Sequence, residues 1–504
     1  MSQSVAPHGT GRIAVAVIVK NEATELAYWL AWYHLLGADT IFVFDDGSTD
    51  GTAEIAEDAG RMFDVRVLRL SRRSERYELR QRDCYLNMLQ NHRDEFEWIG
   101  FFDADEYLAF YKDGKICLGG LRERLDSVDA DVGAMAFHWC NYGSSGWVIA
   151  NGGPSFATYV HHADPATGIN RHVKSFVRPG LWCGGWMNVH KFDVGNSRYV
   201  YPNGRDVQWE RDGITLAEVD WTDARVMHFQ LRSMEHFVDR MKKRMDLVPS
   251  PALFDAMDYA EMTDLRASEL AAKVLELVRS IDRLTVERVI AGLSVDAAAQ
   301  PSAVSATASA TIASGITVRE VVSDFGHLVA LDTHDGLVSR RDDHPAFPLA
   351  CLTLSSLPDT AFLLWAEGPG GWPYVEGDFR TTRMRRYLLE DHYDDFSFRN
   401  PETRRILGVK PPENGGAVIG DVVRAQAWER FRLRPPGEAL ARWLESDNGI
   451  ALLRSITGEV ALPSILPEAA LPLFDMLPII AASMSPARRA ALVSALGATA
   501  RRVT

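Results

Sequence analysis

Three short apolar runs in the first hundred residues, each closing on acidic or amide side chains, constrain the fold of this chain more than any other feature. Ile13–Val19 is apolar throughout, as a parallel strand covered on both faces has to be, and it ends in Lys20-Asn21-Glu22. A second run, 40–44, ends in Asp45-Asp46-Gly47-Ser48-Thr49-Asp50, and a third, 98–102, ends in Asp103-Ala104-Asp105. Between them lie helical patterns. Over 25–37, Leu26, Trp29, Leu30, Tyr33 and Leu36 recur at helical spacing and Gly37 is a stop; over 50–59, Asp50 or Ser48 is available as the cap. A further strand, 65–70, precedes a helix over 79–91. This alternation predicts a doubly wound α/β sheet, whose ligands sit beyond the carboxyl ends of the strands. No Gly-x-Gly-x-x-Gly follows the first strand, which argues against a dinucleotide-binding fold and a phosphate loop.

The Asp-Ala-Asp tip carries the sharpest chemical expectation. Side chains alternate along a strand, so Asp103 and Asp105 should point the same way and converge on one hard cation. Carboxylate ligands suit Mg²⁺ or Mn²⁺, which link protein carboxylates to substrate phosphates. The plain alternative is an acidic turn after a strand.

From residue 12 to about 250 the chain resembles GT-A fold glycosyltransferases of the family 2-like and family 92 group. The resemblance rests on Val19-Lys20-Asn21-Glu22, on residues 45–52, and on Asp103-Ala104-Asp105-Glu106-Tyr107. It continues through Tyr142-Gly143-Ser144-Ser145-Gly146, Lys174-Ser175-Phe176-Val177-Arg178-Pro179, Val189-His190 and residues 227–233 with Phe237 and Lys242/Lys243. It implies transfer of a sugar from a nucleotide-diphosphate sugar, a uridine one favoured, to a glycan or glycoconjugate, with inversion. Two departures stand out. The segment 154–164 has no acid where such proteins often carry one, which leaves the catalytic base open, and the family's His-Tyr pair is His228-Phe229 here.

That chemistry needs a neutralised diphosphate, an in-line acceptor hydroxyl and a base. The resemblance implies Asp105 as the direct ligand of Mn²⁺ or Mg²⁺, with Asp103 holding the ribose or a metal-bound water. His190 is nominated as the completing ligand and His228 as the second choice. Lys174, Arg178 and Lys243 are candidates for the diphosphate charge; Asn21, Glu22 and Asp46 for the nucleoside, by accepting from ribose hydroxyls and base N–H groups. Trp139 and Trp147, with Tyr142, Trp182 and Trp186, suggest an aromatic acceptor groove, to which Ser144 and Ser145 would offer hydroxyls. Glu106 would orient a substrate, and Asp164 is the nearest acid for the base. Each has a structural alternative: a helix-cap pair for Asn21-Glu22, a turn residue for Asp46, core for the tryptophans.

At 504 residues the chain has room for several domains, and a net charge of −14 with no basic block argues against nucleic-acid binding. Five irregularly spaced cysteines suggest neither a zinc site nor a disulfide framework. The polar N-terminus lacks a signal-peptide core, and the most apolar stretch, 471–484, is interrupted by Asp475 and Pro478. Both point to a cytoplasmic protein without a transmembrane segment.

The expected plan is a GT-A domain over 1–250, a helical extension over 251–298, an Ala/Ser/Thr-rich linker over 299–316, an all-β domain over 317–435 and a helical tail over 436–504. Weak self-similarity at about 40 residues, with a Trp-Glu-x-Phe-x-Leu ending at 428–433, resembles fascin- or lectin-type β-trefoils. Trp372, Tyr374 and Tyr393 are its candidate carbohydrate contacts. The rival readings are a non-catalytic carbohydrate-binding or scaffold protein and a nucleotidyltransferase. The latter would usually carry a glycine-rich loop after the first strand.

Overall fold

The computed structural model describes residues 11–70, 76–149, 153–216, 218–243 and 250–296 of the first part of the chain. Of the rest it describes 316–332, 336–340, 347–355, 357–365, 384–392, 395–400, 406–414, 416–422, 428–445, 477, 481 and 486–503. The expected linker, most of the stretch between 446 and 485, and Trp372, Tyr374 and Tyr393 lie outside the described residues, as does the side chain of Lys243. The chain divides into two compact units, 1–285 and 286–504.

The first unit is built on a mixed sheet. Its strands are β1 (Ile13–Val19), β2 (Thr40–Asp45), β3 (Val65–Arg69), β4 (Trp98–Phe101), β5 (Glu106–Lys112), β6 (Lys115–Ile116), β7 (Val132–Asn141), β8 (His161–His162), β9 (Val173–Val177), β10 (Arg198–Val200), β11 (Trp209–Arg211), β12 (Ile214–Thr215), β13 (Ala224–His228) and β14 (Met262–Thr263). The order across the main sheet is β3-β2-β1-β4-β9-β7-β13-β5-β6, with β10 on β7; β8 pairs β14 and β11 pairs β12 in small ladders. β1, β2, β3 and β4 are parallel, as the apolar runs predict. The doubly wound expectation holds only for that part: β9 lies antiparallel between β4 and β7, and β5 antiparallel to β13. The chain turns back after β4 through a short acidic segment into β5, with no crossover helix.

Helices α1 (Leu26–Leu36), α2 (Thr52–Ala59), α3 (Tyr77–Asn91), α4 (Gly120–Asp126), α5 (Ser155–Thr158), α6 (Met234–Lys243), α7 (Pro251–Met257) and α8 (Ala271–Asp296) complete the first part of the chain. α1 is buried on nearly every side and ends at Gly37, whose φ of 110° favours glycine. Its aromatic side chains hold the acidic turn from behind. Trp29 Nε1 donates to the carbonyls of Asp103 and Glu106, Tyr33 Oη to that of Glu106, and Trp32 Nε1 to that of Leu108. The carbonyls of the turn and of the start of β5 are thus braced by donors on a rigid helix. Among the described residues no helix is long and apolar enough to cross a membrane.

The second unit is all-β over its first part, with strands β15 (Ile316–Ser323), β16 (Leu328–Asp332), β17 (Gly336–Arg340), β18 (Phe347–Leu354), β19 (Leu357–Trp365), β20 (Met384–His392), β21 (Asp395–Arg399), β22 (Ile406–Val409), β23 (Val418–Val422) and β24 (Phe431–Arg434). β15, β18, β19, β20, β21 and β24 pair in turn and β24 returns to β15, closing a barrel. Two hairpins, β16–β17 and β22–β23, extend from it. The interior is apolar, with Val321, Leu349, Leu363, Tyr387, Phe398 and Phe431 among its buried side chains.

Candidate active site

The site forms beyond the carboxyl ends of β1, β2, β4 and β13. β4 stops at Phe101, so Asp103 and Asp105 lie past the strand, in the turn that leads to β5. Strand alternation therefore does not govern them, and they face different partners.

Asp103 is tied to the protein interior. Its Oδ2 accepts from Lys174 Nζ at 2.8 Å and its Oδ1 from Gln81 Nε2 at 3.2 Å. Lys174, on β9, is fully buried and also meets Glu106 Oε2 at 3.2 Å. Burial alone would lower the Lys174 pKa, but the carboxylates of Asp103 and Glu106 outweigh it and hold the ammonium charged. Glu106 is itself fully buried; its Oε2 accepts from Asp103 N at 2.9 Å, and burial pushes its carboxyl up to about 8 against the pull of Lys174. Among the described residues its Oε1 has no hydrogen-bond partner. Lys174 thus lies beneath Asp103 as its counter-ion.

Asp105 looks the other way. Its Oδ1 is 3.8 Å from His228 Nε2 and its Oδ2 is 3.3 Å from Arg240 Nη1, on α6. Burial acts to raise its pKa; His228, Arg240 and Arg232 outweigh burial and hold the carboxyl far below the usual range. His228, the last residue of β13, is buried, which draws its imidazole down to about 4 despite Asp105. Arg232 has a left-handed backbone (φ 56°) and a buried guanidinium whose Nη1 lies 3.7 Å from Glu22 Oε2. Burial raises the Glu22 carboxyl above its ordinary value, Arg232 notwithstanding, and its side chain remains about a third exposed (31%).

The nucleoside candidates gather at the β1 and β2 tips. Asn21, also left-handed (φ 57°), accepts from Thr49 N at 2.8 Å, and its own N–H donates to Ser48 Oγ, so it ties the two tips together. Asp46 is fully buried and held by both arms of Arg80, from α3, at 2.7 and 2.6 Å.

Other expected residues lie elsewhere or are otherwise engaged. Arg178 sits near the start of β4: its guanidinium donates to the carbonyls of Asp129 and Val132, pairs with Glu97 at 3.2 Å and covers the Trp98 ring. β9 runs antiparallel to β4, so Arg178 lies at the end of the sheet opposite the acidic tips. Asp164 is in an exposed turn, where its carboxylate accepts from Ala166 N at 2.8 Å. His190 donates through Nδ1 to the Val173 carbonyl at 2.9 Å, and burial draws its pKa down to about 3. Ser144 bonds to Asp258 through both N–H and hydroxyl, and Ser145 Oγ accepts from Val160 N and His161 N, so both hold their loop together. Trp139 is buried among His172, His190 and His228, while Trp147 is half-buried and its carbonyl accepts from Met234 N at the start of α6.

Gln81, Arg80, Arg232 and Arg240 enter the site without having been singled out as its residues. Three lie on helices of ordinary amphipathic pattern, where a charge reads as solvated. Arg232 lies in the quoted segment 227–233, which was the one available signal for it. Among the described residues no three His, Cys, Asp or Glu side chains form a ready metal cage. Asp105 and His228 nonetheless make a fitting pair of donors, a carboxylate oxygen and an imidazole nitrogen, for a divalent ion whose remaining ligands come from substrate and water.

Residues 14–151 match the model of glycosyl transferase family 2. A glycosyltransferase family 92 protein of Arabidopsis thaliana is 27% identical over 189 residues, 36% of this chain and 31% of that protein. One of Ricinus communis is 28% identical over 202 residues, 39% of this chain and 33% of that one. The match therefore spans about a third of the length of these relatives. Structures of Staphylococcus aureus TarS residues 1–349, alone and with UDP-GlcNAc, align over 56% of this chain and 80% and 81% of theirs. Their identities are 15% and 13% and their TM-scores 0.24 and 0.25, too low to bear on the argument. The family 2 match covers the strands that deliver Asn21, Asp46, Asp103 and Asp105, so residues 14–151 are similar to a glycosyltransferase domain of that family.

Proposed function

We propose that the first unit transfers a glycosyl group from a nucleotide-diphosphate sugar to a hydroxyl of a glycan or glycoconjugate. The observation that carries this reading is the Asp105 carboxylate, largely buried beyond the strand ends and ringed by His228, Arg240 and Arg232. The turn binds beyond the strand ends, where open α/β sheets take their ligands. Asn21 and the Arg80-held Asp46 would form the nucleoside end of the cleft. Asp103, fixed by Lys174 and Gln81, offers an oriented acceptor to a ribose hydroxyl.

Mn²⁺ or Mg²⁺ held by Asp105 and His228 would neutralise the diphosphate leaving group. Arg232 and Arg240 add positive charge on the same side. For the acceptor proton, Glu22 is the best-suited carboxylate of the cluster: partly exposed, and more basic than an ordinary glutamate because of burial. Asp105 is held too acidic for that role, and Asp164 is occupied in its own turn. The barrel of the second unit, with its hairpins, supports a β-trefoil-type reading of that unit.

The test is a panel of nucleotide sugars with Mn²⁺, beginning with uridine diphosphate sugars, read by release of free nucleoside diphosphate. Release that requires Glu22 and Asp105 supports the reading. Release of pyrophosphate from a nucleoside triphosphate and a sugar phosphate would point to a nucleotidyltransferase, and binding of sugars without turnover to a scaffold.

A further inference from the structure

His228 is held by a chain of side-chain amides whose polarity the backbone dictates. Asn170 lies in the 3₁₀ turn Gly168–Arg171 and is fully buried. Its Nδ2 donates to the Asp164 carbonyl at 3.0 Å, and its Oδ1 accepts from Asn141 N at 3.0 Å. A backbone carbonyl only accepts and a backbone N–H only donates, so the Asn170 amide has one possible orientation. The same Oδ1 accepts from Asn141 Nδ2 at 2.9 Å, which orients Asn141 in turn and turns its Oδ1 toward His228 Nδ1, 2.9 Å away. An amide oxygen cannot donate, so the imidazole proton sits on Nδ1. Nε2 then presents a bare lone pair toward Asp105 Oδ1 at 3.8 Å, too far for a hydrogen bond in any protonation state. Two acceptors face each other across a gap in a buried site, an arrangement that repels unless something positive lies between them.

We propose that Asn141 and Asn170 are positioning residues that lock His228 in the Nδ1–H form, so that Nε2 and Asp105 stay open to one divalent cation. This rests on the cation reading above and adds the residues that make it possible. Asn141 closes β7 and Asn170 closes a loop 29 residues away, so the lock joins the strand next to β13 to the segment that carries Asp164. Histidine ligands are commonly fixed in this way through the ring nitrogen that does not meet the metal, and loss of such a partner typically weakens metal binding by about 10- to 100-fold.

The test has two arms. In metal-free protein labelled with ¹⁵N-histidine, long-range ¹H–¹⁵N correlation at pH 7 should show His228 protonated on Nδ1 and bare on Nε2, with His228→Gln identifying the signal. In the second arm, Mn²⁺ is titrated by electron paramagnetic resonance, alone and with UDP. Asn141→Leu should shift the proton to Nε2, where Asp105 attracts it, and weaken Mn²⁺ binding at least about tenfold. Asn141→Asp keeps an acceptor for Nδ1–H while losing the donor to Asn170 Oδ1, and it should retain the tautomer and bind Mn²⁺ more tightly than Asn141→Leu does. An Nε2–H ring or an imidazolium in the wild-type protein overturns the lock. Equal loss of Mn²⁺ in both variants overturns it as well, because that is what a merely structural role would give. If the wild-type protein shows the Nδ1–H form but binds no Mn²⁺, the cation reading fails and the tautomer lock does not.

Discussion

Asp103 and Asp105 stand two residues apart in the same turn, yet they belong to different kinds of surroundings. On the Asp103 side every charge has a nearby opposite: Lys174 lies between Asp103 and Glu106, and Gln81 takes the remaining Asp103 oxygen. On the Asp105 side the partners are looser, at 3.3 and 3.8 Å, and a rigidly held imidazole presents an acceptor to another acceptor. The difference teaches that spacing alone does not set the role of an acid in such a motif. A carboxylate gripped by a buried cation and an amide is fixed in one orientation, and one with looser partners is available to a cation.

The comparison breaks most readily at Lys174. Lys174→Met should cost about 3–5 kcal/mol, because it leaves Asp103 and the buried Glu106 without their cation. Adding Glu106→Gln to that variant should change stability little further, since burial already pushes the Glu106 carboxyl up to about 8 and loss of Lys174 leaves it protonated and neutral. Denaturant unfolding of the two proteins checks both statements. An unchanged midpoint in Lys174→Met would remove the contrast between the two sides.

Asp105→Asn should behave in the opposite way. Turnover should fall on the order of 100-fold, as when a charge-stabilising group is removed from an active site, while stability changes little. Steady-state rates beside thermal unfolding report both. A variant that unfolds before it loses turnover would make Asp105 a structural acid like Asp103.

The smallest effect concerns the two buried imidazoles of parallel strands β7 and β13. His138 meets a hydroxyl, Thr215 Oγ1, at 2.9 Å, and burial lowers its pKa to about 4. Between that value and the usual one near 6.5 the unfolded chain binds more protons. The stability linked to neutral His138 is therefore full above about pH 6.5 and is lost as pH falls through about 4. His138→Gln should flatten the melting temperature against pH in that window by a few degrees at most. An unaltered slope would mean that other groups dominate acid unfolding.

Much of the frame was legible because its signals are local. Ile13–Val19 and Thr40–Asp45 are apolar runs with acids or amides at or just beyond their ends, and α1 shows helical spacing with a glycine stop. The antiparallel insertion of β9 was not legible, because register between distant strands leaves no local pattern. Within the site, the acids of the motif were visible and their partners were not. Arg80 and Arg240 read as solvated helix charges, and Arg178 stands in one motif with Lys174. Four residues along β9, however, separate a position under the acidic turn from the far end of the sheet. The amides of Asn141 and Asn170 gain meaning only once folding brings them to His228.

The most direct test of the account is to ask which acid and which histidine hold the cation. Mn²⁺ can be titrated in the presence of UDP against Asp105→Asn, His228→Gln, Asp103→Asn and His190→Gln. The account predicts that the first two weaken binding by more than about tenfold while the last two stay within a few-fold of the wild-type protein. Loss of binding in Asp103→Asn and His190→Gln, with Asp105→Asn and His228→Gln unaffected, would contradict it.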